Sequence, residues 1–550
     1  MRQKILKIHP DDNIIVALDH LKDGEEVQLN GQTYHIYGDI PSKHKFSMND
    51  LDAGDKIFMY GVLVGKAIQP IKKGEAITVS NVKHEASEFS LGKRKTDWPT
   101  PDVNRWQGAS FRGYHRANGQ VGVANYWLFI PLVFCENRNI NVIREALVKD
   151  LGYDSRRSVD FDIKSLIYKH QQGASSEDLL STEIVVTAEE MQNKRTFPNV
   201  DGIKFLTHEG GCGGTRSDAH TLCALFAGYI THPNVAGATV LSLGCQNAED
   251  KILQEEIRKR DPNFSKPLYI MEQQKSKSER DFISEAIKKT FIGLTKANQL
   301  ERKPAPLSKL VVGLECGGSD GFSGISANPA VGHAADLLVA LGGSVILSEF
   351  PELNGVEQEL TDRCVDDATA EKFISIMRAY SASAEAVGSG FDANPSPGNI
   401  KDGLITDAIK SAGAAKKGGT SSVVDVLDYT EPVTKAGLNL LCTPGNDVES
   451  TTGLAGSGAS IILFTTGLGT PTGNPVAPTL KISSNNTLAR RMADIIDINA
   501  GTIISGEDTI DSKGEEILDF IMCTADGSYT PKAVAIGQDD FIPWKRGVSL

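Results

Sequence analysis

Residues 309–320 read Lys309-Leu-Val-Val-Gly-Leu-Glu-Cys-Gly-Gly-Ser-Asp320, an apolar run that ends in a polar turn rich in glycine. Similar apolar runs recur after residue 105, at 183–186, 203–206, 238–243, 344–348, 422–427, 438–441 and 461–464. Helix-like stretches separate them. Near-continuous apolar strands that alternate with helices are typical of parallel sheets covered by helices on both faces. We therefore predict an α/β protein whose sheets are largely parallel.

The beginning of the chain follows another pattern, because short apolar runs alternate there with turn signals such as Lys22-Asp-Gly and Lys72-Lys-Gly. This spacing is typical of a small barrel-like or clip-like β domain. A stretch with several prolines and no periodic pattern follows it. In chain order we predict a β domain over 1–85 and a linker over 86–104. An α/β domain over 105–300 follows and carries the Cys212 and Cys245 turns. A C-terminal α/β domain over 301–550 carries the Cys316, Asn394 and Thr443 turns.

Composition and charge exclude several classes of partner. The chain has 550 residues, with 57 Lys and Arg against 70 Asp and Glu, and a net charge of −13. A surface of this sign disfavours binding to nucleic acid or to an anionic membrane. No apolar run approaches the length of a membrane span. Eight cysteines without a C-x-x-C pair are too sparse for a disulfide scaffold, so we expect a reduced, cytoplasmic protein.

Most of the later strands end in a polar, glycine-rich turn. Ligands of open α/β sheets bind at the carboxyl ends of the strands, where such turns gather. Glycine alone would indicate only a tight turn, but these turns also carry Cys, Asp, Asn, Glu or Thr. We therefore predict that they form a binding site. The turns begin at Thr207, Gly244, Glu315, Ser348, Cys442 and Thr465.

Three cysteines share this position after an apolar strand and next to glycine: Cys212, Cys245 and Cys316. Thiolates are strong ligands for iron and other soft metals. We therefore expect these three to hold a metal and to leave one coordination position for substrate, although buried cysteines often serve only in packing. Packing is what we expect for Cys135, Cys223, Cys364 and Cys523, and Cys442 lies between the two cases.

Two histidines are candidates for acid–base work. His208 precedes Cys212 by four residues in the same turn, and His44 lies between Lys43 and Lys45, whose charges would lower its pKa. For His44 to act, the first domain must close over the strand ends of the other domains.

Several unusual motifs identify the chain as similar to the altronate dehydratase family, which includes galactarate dehydratase. They are His44-Lys-Phe, Arg116-Ala-Asn-Gly-Gln-Val-Gly-Val-Ala-Asn, Leu243-Gly-Cys, Gly313-Leu-Glu-Cys-Gly-Gly-Ser-Asp-Gly, Asn394-Pro-Ser-Pro-Gly-Asn, Thr443-Pro-Gly-Asn-Asp and Phe464-Thr-Thr-Gly. The resemblance covers essentially the whole chain. The first domain resembles the SAF (β-clip) module that opens these enzymes.

The resemblance implies a hydro-lyase that removes water from a sugar acid. For D-altronate the product would be 2-keto-3-deoxy-D-gluconate, in hexuronate catabolism. It also implies dependence on iron, as Fe²⁺ with Mn²⁺ as a substitute, or as an iron–sulfur cluster. Gln246 and Leu468 stand where relatives often have Glu and Arg, which keeps galactarate, another aldonate or aldarate, and a related lyase open as alternatives. A non-catalytic sugar-acid sensor is the competing class.

A mechanism for this reaction needs a metal, a base, an acid and groups that orient hydroxyls. We expect a homo-oligomer whose partner is a small sugar acid. The expected metal ligands are Cys212, Cys245 and Cys316. The expected catalytic residues are His44, Lys45, His208 and Glu349. The expected substrate-binding residues are Asp320, Asn394, Ser396, Asn399, Thr443, Asn446, Asp447 and Thr470.

Overall fold

The N-terminal part of the chain is built from short antiparallel strands. The computed structural model describes residues 3–153, 159–187 and 195–549. The strands of this part form three sheets, of order β1-β2-β5-β8, β3-β4 and β6-β7-β9. They are β1 (Ile5–Leu6), β2 (Ile14–Ala17), β3 (Glu26–Leu29), β4 (Gln32–His35), β5 (Lys45–Ser47), β6 (Lys56–Met59), β7 (Val62–Ala67), β8 (Ala76–Ile77) and β9 (Val82–Lys83).

The middle part contains a parallel sheet of order β15-β12-β16-β17. The chain passes from β12 to β15 on one side and then to β16 and β17 on the other, so the strand order reverses between β12 and β16. The elements are β10 (Ser110–His115), β11 (Val121–Gly122), β12 (Tyr126–Pro131), α1 (Asn137–Val148), β13 (Val159–Phe161), α2 (Ile163–Gln171), α3 (Ser176–Leu180), β14 (Val185–Thr187), β15 (Gly202–Phe205), α4 (Arg216–Thr231), β16 (Val235–Ser242), α5 (Asp250–Arg260), β17 (Leu268–Glu272) and α6 (Glu279–Ala297).

The C-terminal part contains the larger parallel sheet, of order β21-β22-β20-β19-β23-β24-β25. Its elements are β18 (Lys303–Pro306), β19 (Val311–Cys316), α7 (Ala327–Ala340), β20 (Ser344–Leu347), α8 (Glu357–Arg363), α9 (Asp367–Glu385), α10 (Pro397–Lys401), α11 (Asp407–Ala414), β21 (Val423–Leu427), β22 (Gly437–Leu441), α12 (Asp447–Gly456), β23 (Ile461–Thr466), β24 (Thr479–Ser483), α13 (Asn486–Arg491), β25 (Ile498–Asn499), α14 (Gly501–Ser505), α15 (Ile510–Asp526) and α16 (Lys532–Ala535). β20–β22 lie on one side of β19 and β23–β25 on the other, so the order reverses between β19 and β23.

The N-terminal β part packs against the C-terminal part rather than standing apart from it. Buried side chains of both, such as Val64 and Ile409, belong to one continuous hydrophobic core. Thr406 Oγ1 donates a hydrogen bond of 2.8 Å to the carbonyl of Val64. The position of the strands next to the large sheet is therefore fixed by burial of apolar surface.

The predicted fold class is confirmed, since a β-rich N-terminal part precedes two units with parallel sheets. Residues 84–103 form neither helix nor strand. Among the described helices, none combines the length and the apolar character that crossing a membrane requires.

Candidate active site

The site lies where the strand order of the large sheet reverses. β19 ends at Cys316 and is followed by the turn 317–320, while β23 ends at Thr466 and is followed by the turn 467–470. The chain also carries polar turns after β20 and β22. A reversal of strand order opens a crevice at the carboxyl edge of a parallel sheet, which is where such folds bind ligands.

A buried thiol and two buried carboxylates meet at this edge. Ligand atoms of Cys316, Glu349 and Glu352 all lie within 4.8 Å of one another, and this is the one such group of three in the part of the chain described. Cys316 Sγ lies 3.1 Å from Glu352 Oε2 and 3.5 Å from Glu349 Oε2. At most 2% of each residue's surface is exposed. We call these three residues with Lys410 and Lys417 the buried cluster.

The two lysines of the buried cluster balance its negative charge. Lys417 Nζ donates to Cys316 Sγ at 2.6 Å and to Glu349 Oε2 at 3.2 Å. Lys410 Nζ donates to Glu352 Oε1 at 2.6 Å. Charges in a dry interior are tolerated when they are paired and hydrogen-bonded. In the buried cluster, two ammonium groups therefore lie against a thiol and two carboxylates.

Burial and pairing move the pKa values of these groups in opposite directions. Burial raises the pKa of Glu349, and the charge of Glu352 adds to this effect. Burial also raises the pKa of Glu352, but Lys410 and Lys417 outweigh it, so the net pKa is lowered. Two neighbouring carboxylates with pKa values pushed apart are typical of catalytic sites.

The backbone at Glu349 is strained. Its φ is +66°, a left-handed conformation that non-glycine residues rarely adopt. Its backbone N–H donates a 2.8 Å hydrogen bond to Thr443 Oγ1, which holds the turn after β20 against the turn after β22. Thr443 is buried and acts here by positioning Glu349. Strain maintained in this way is concentrated at functional sites.

Polar side chains lie near the buried cluster at this edge, where a reversal of strand order is expected to open a crevice. Asn446 is exposed, while Asn394, Asp447 and Thr470 are half-buried. Asn394 Nδ2 donates to Glu352 Oε1 at 3.2 Å, which connects the crevice with the buried cluster. A Cβ on Gly317 would overlap the carboxylate of Asp447, so only glycine lets this side chain lie against the turn after β19.

Asn446 precedes the first residue of α12 and Asp447 is that residue, and their side chains have different roles. Asn446 caps the helix by accepting hydrogen bonds from the N–H groups of Val448 and Glu449. Burial raises the pKa of Asp447 to about 6. Its carboxyl group can therefore carry a proton close to neutral pH.

Three other expected substrate residues mainly hold the turns together. Ser396 and Asn399 form a reciprocal capping box at the start of α10, and Asn399 Nδ2 also donates to the carbonyl of Ser319 at 2.7 Å. Asp320 is buried, and its Oδ1 accepts hydrogen bonds from Ser323 and Ser484. Of these, Ser396 is the exposed one.

One loop of the N-terminal part reaches the same edge. Lys43 Nζ forms an ion pair of 3.0 Å with Asp320 Oδ2. Lys45 is buried and donates to the carbonyl of Gly403 at 2.6 Å, and burial lowers its pKa to about 7. His44 between them is half-buried, and burial lowers its pKa as well. The expectation that the first domain approaches these strand ends therefore agrees with the geometry.

Lys481 on β24 is a further buried cation at this edge. Its Nζ lies 3.3 Å from the ring centroid of Phe464, the residue paired with it on β23. This nitrogen has no hydrogen-bond partner among the described residues. Burial lowers the pKa of Lys481 to about 7, and Asp447 is the carboxylate whose charge opposes this shift most strongly.

The three cysteines expected to share a metal do not meet. Cys316 ends β19 of the large sheet, whereas Cys212 and Cys245 follow β15 and β16 of the smaller one. Cys212 and Cys245 are exposed, and Cys316 is buried. Within the described ranges the three sulfurs form no group with mutual distances under 4.8 Å. The three sulfurs therefore form no single-ion site, because each sheet brings together the turns of its own strands.

His208 also lies in the middle part, away from the buried cluster. Its Nε2 lies 2.7 Å from the carbonyl of Pro131, and its Nδ1 accepts a hydrogen bond from the N–H of Gly210. Burial lowers its pKa to about 4. With both ring nitrogens bonded to backbone groups, the imidazole holds two turns together, and this arrangement leaves no nitrogen free for substrate.

Sequence reasoning missed four charged residues of the site: Glu352, Lys410, Lys417 and Lys481. Glu352 could have been predicted, since it lies in the turn Ser348-Glu-Phe-Pro-Glu352 after a predicted strand. The lysines carry no such signal, because Lys410 lies on α11 and Lys417 in the short helical turn after it. Only the fold brings these residues to Cys316.

The buried cluster fits a divalent metal of the type that the family resemblance implies. A thiolate and carboxylates are suitable ligands for Fe²⁺ and Mn²⁺. Glu349 Oε1 is buried and has no amine, amide or hydroxyl partner in the described part of the chain, but the carboxyl group of Glu315, whose pKa burial raises, hydrogen-bonds Glu349. The donor set Cys316, Glu349 and Glu352 therefore has the chemistry for such an ion.

Comparison with known proteins assigns every part of this architecture to one family. The models for the altronate/galactarate dehydratase SAF domain, the D-galactarate dehydratase/altronate hydrolase second domain and the D-galactarate/altronate dehydratase C-terminal domain match residues 3–85, 113–298 and 307–549.

Among curated proteins, the altronate dehydratase of Escherichia coli (strain K12) is 33% identical over 96% of both chains. The altronate dehydratase of Bacillus subtilis (strain 168) is 32% identical over 91% of this chain and 90% of its own. The galactarate dehydratase (L-threo-forming) of Escherichia coli (strain K12) is 31% identical over 95% of this chain and 92% of its own. The chain belongs to the altronate/galactarate dehydratase family, and it is a hydro-lyase that dehydrates a sugar acid.

Proposed function

We propose that the substrate is D-altronate and that the product is 2-keto-3-deoxy-D-gluconate. Two relatives named altronate dehydratase, at 33% and 32% identity, support this choice. Galactarate is the alternative, supported by a relative at 31% identity. Another aldonate or aldarate remains within the same reaction class.

The observation that carries the proposal is the buried cluster beneath a crevice of neutral polar side chains. Asn394, Asn446 and Thr470 offer hydrogen bonds to hydroxyl groups, and Ser396 lies beside them on the exposed side. The lysines of the buried cluster supply the positive charge that a carboxylate substrate needs. A sugar acid combines these two kinds of group.

Dehydration removes the proton next to the carboxylate and expels the neighbouring hydroxyl as water. We assign proton removal to the imidazole of His44, because its lowered pKa keeps it uncharged at neutral pH. Lys45 lies behind it and keeps the loop in place through the carbonyl of Gly403.

We assign protonation of the leaving hydroxyl to the carboxyl group of Asp447, whose pKa near 6 suits this task. Lys481 then returns a proton to Asp447. The proton taken from carbon goes to His44, the proton of Asp447 leaves with the hydroxyl as water, and the two residues are reset by exchange with solvent and Lys481.

We also propose that Fe²⁺, or Mn²⁺ in its place, is held by Cys316, Glu349 and Glu352. Such an ion supplies Lewis-acid stabilisation of the charge that develops on the substrate carboxylate. Lys410 and Lys417 would keep the three ligands close together in its absence.

The experiment that tests the proposal is an anaerobic screen of hexonates and hexarates for formation of a 2-keto acid. We expect D-altronate to give the highest kcat/KM and galactarate a lower one. A higher value for galactarate would transfer the assignment to that acid. Binding without keto-acid formation from any of these acids would favour the sensor.

The expectations about assembly and location remain proposals. We propose a homo-oligomer in the cytoplasm that binds neither nucleic acid nor membranes. Light scattering on the purified protein measures the oligomeric state directly.

A further inference from the structure

The smaller parallel sheet has its own reversal of strand order, and three cysteines lie at it. Pro131 of β12 pairs with Leu241 of β16. Cys135 and Cys245 each follow that pair by four residues. Cys212 follows β15, the neighbour of β12 on its other side. All three are exposed, so the expectation that Cys135 is a packing residue was wrong.

Backbone hydrogen bonds tie the three cysteine-bearing turns to one another. The N–H of Phe134 donates to the carbonyl of Gly210 at 3.1 Å, and the N–H of Asn247 donates to the carbonyl of Gly211 at 3.0 Å. A Cβ on Gly211, whose φ is +96°, would overlap the carbonyl oxygen of Leu132. The segments adjacent to the three cysteines are therefore in contact, and glycine is required for the closest approach.

Each of the three cysteines lies in a turn that leads into a helix. α1 begins at Asn137, α4 at Arg216 and α5 at Asp250, so each cysteine is followed within five residues by a helix N-terminus. Helix N-termini carry partial positive charge. In addition, Gln274 Nε2 donates a hydrogen bond of 3.4 Å to Cys245 Sγ. Hydrogen bonds to sulfur are among the features that tune iron–sulfur centres.

We propose that Cys135, Cys212 and Cys245 hold an iron–sulfur cluster of the four-iron type at this edge. A single ion would draw three sulfurs close together, but within the described residues these three form no group with mutual distances under 4.8 Å. A cluster is larger and accepts ligands that are farther apart. Assembly takes up four sulfide ions with two ferrous and two ferric ions, the oxidation level of a [4Fe–4S]²⁺ cluster, so no electron is transferred. Three thiolate–iron bonds form, and the three thiol protons are released to solvent.

This centre is distinct from the buried cluster. Its ligands come from β12, β15 and β16, whereas Cys316 ends β19 of the other sheet. Three protein ligands leave one iron of the cluster without a protein ligand. Because the cysteines are exposed, that iron can take an oxygen ligand from solvent or from a small acid.

The test is anaerobic reconstitution of the full-length protein with equal amounts of ferrous and ferric iron and with sulfide. We expect the broad visible absorption of an iron–sulfur cluster, with about four iron and four sulfide per chain. Cys135→Ser, Cys212→Ser and Cys245→Ser should each lose most of the absorption. Cys523→Ser, which replaces another exposed cysteine, and Cys316→Ser should keep it.

The readout is absorption and elemental content, so it is independent of the substrate and of the dehydratase activity. Circular dichroism verifies that each serine variant is folded. Absorption that survives in all three variants would overturn the proposal, and so would a wild-type protein that binds iron without sulfide. Loss of absorption in Cys316→Ser alone would assign the cluster to the large sheet instead.

Discussion

The most informative single residues are the buried lysines, because a buried ammonium without a partner costs several kcal/mol. Lys410 and Lys417 meet this cost through ion pairs with Glu352 and Glu349. Lys481 has no partner in the described part of the chain. Its lowered pKa lets it release its proton near neutral pH and remain buried as an amine.

Asp447 is the carboxylate best suited to exchange a proton with Lys481. The other carboxylates that act on Lys481 are Asp497, Glu315 and Asp540. Asp497 accepts from Tyr529, Glu315 from Ser450, and Asp540 from the N–H of Gly473. Asp447 accepts no hydrogen bond from another described residue at its carboxylate, which lies against Gly317 of the turn after β19.

Lys481→Met should therefore change the pH dependence of kcat. In the wild type the Asp447–Lys481 pair loses its last proton at a pH near the pKa of Lys481, about 7. Without the lysine the limit becomes the pKa of Asp447, which is about 6 while the charge of Lys481 lowers it and is higher once that charge is removed. The alkaline limb of the pH profile of kcat should therefore move down by at most about one pH unit, and the rate at pH 8 should fall by at most about tenfold. A pH series of kcat measures this shift.

Lys266→Met is the matched control for that series. Lys266 is also a lysine with a pKa lowered by burial, but its Nζ donates to the carbonyls of Ile230, Thr231 and His232. Its loss should reduce stability and leave the alkaline limb where it is. An unchanged limb in Lys481→Met would contradict the proton exchange with Asp447.

At the scale of elements, the sequence predicted β15 and β16 of the smaller sheet and β19–β23 of the larger one, because buried parallel strands are continuous apolar runs. It did not predict β12 or β17 of the smaller sheet, and the run at 183–186 falls on β14, which pairs with β13 outside both parallel sheets. It did not predict β24, whose Lys481 interrupts the run Thr479-Leu-Lys-Ile-Ser. It could not predict which turns share an edge, since strand order depends on pairings distant in sequence. The separation of Cys316 from Cys212 and Cys245 onto different sheets follows from this.

The loop that carries His44 makes a second element-scale test possible. A Cβ on Gly403 would overlap the carbonyl oxygen of Lys43. Gly403→Ala should displace the loop and lower kcat about 100-fold, as expected when a catalytic group is moved by about 1 Å. Steady-state kinetics with folded protein measures the effect.

Gly388→Ala is the control for this variant. Gly388 also has a positive φ, of +76°, but a Cβ there would meet nothing within 4 Å. The strain of a left-handed alanine is thus present in both variants, and displacement of the loop in only one. Equal losses of kcat in the two variants would contradict the catalytic role assigned to the loop that carries His44.

At the scale of the whole molecule, each parallel sheet has its own reversal of strand order and its own sulfur ligands. The larger sheet offers one thiol with two carboxylates, and the smaller one offers three thiols. A single ion suits the first set and a cluster the second. In our two proposals, the two forms of iron that the sequence left as alternatives are held at two separate places.

This separation predicts how activity responds to removal of metal. Protein purified without air and treated with a chelator should lose dehydratase activity, because the ion that we propose at Cys316, Glu349 and Glu352 would be removed. Mn²⁺ alone should restore activity, since manganese can replace Fe²⁺ at an oxygen-rich site. Restoration that requires both iron and sulfide would move catalysis to the cysteines of the smaller sheet. Full activity of metal-free protein would exclude the Lewis-acid role and leave charge stabilisation to Lys410 and Lys417.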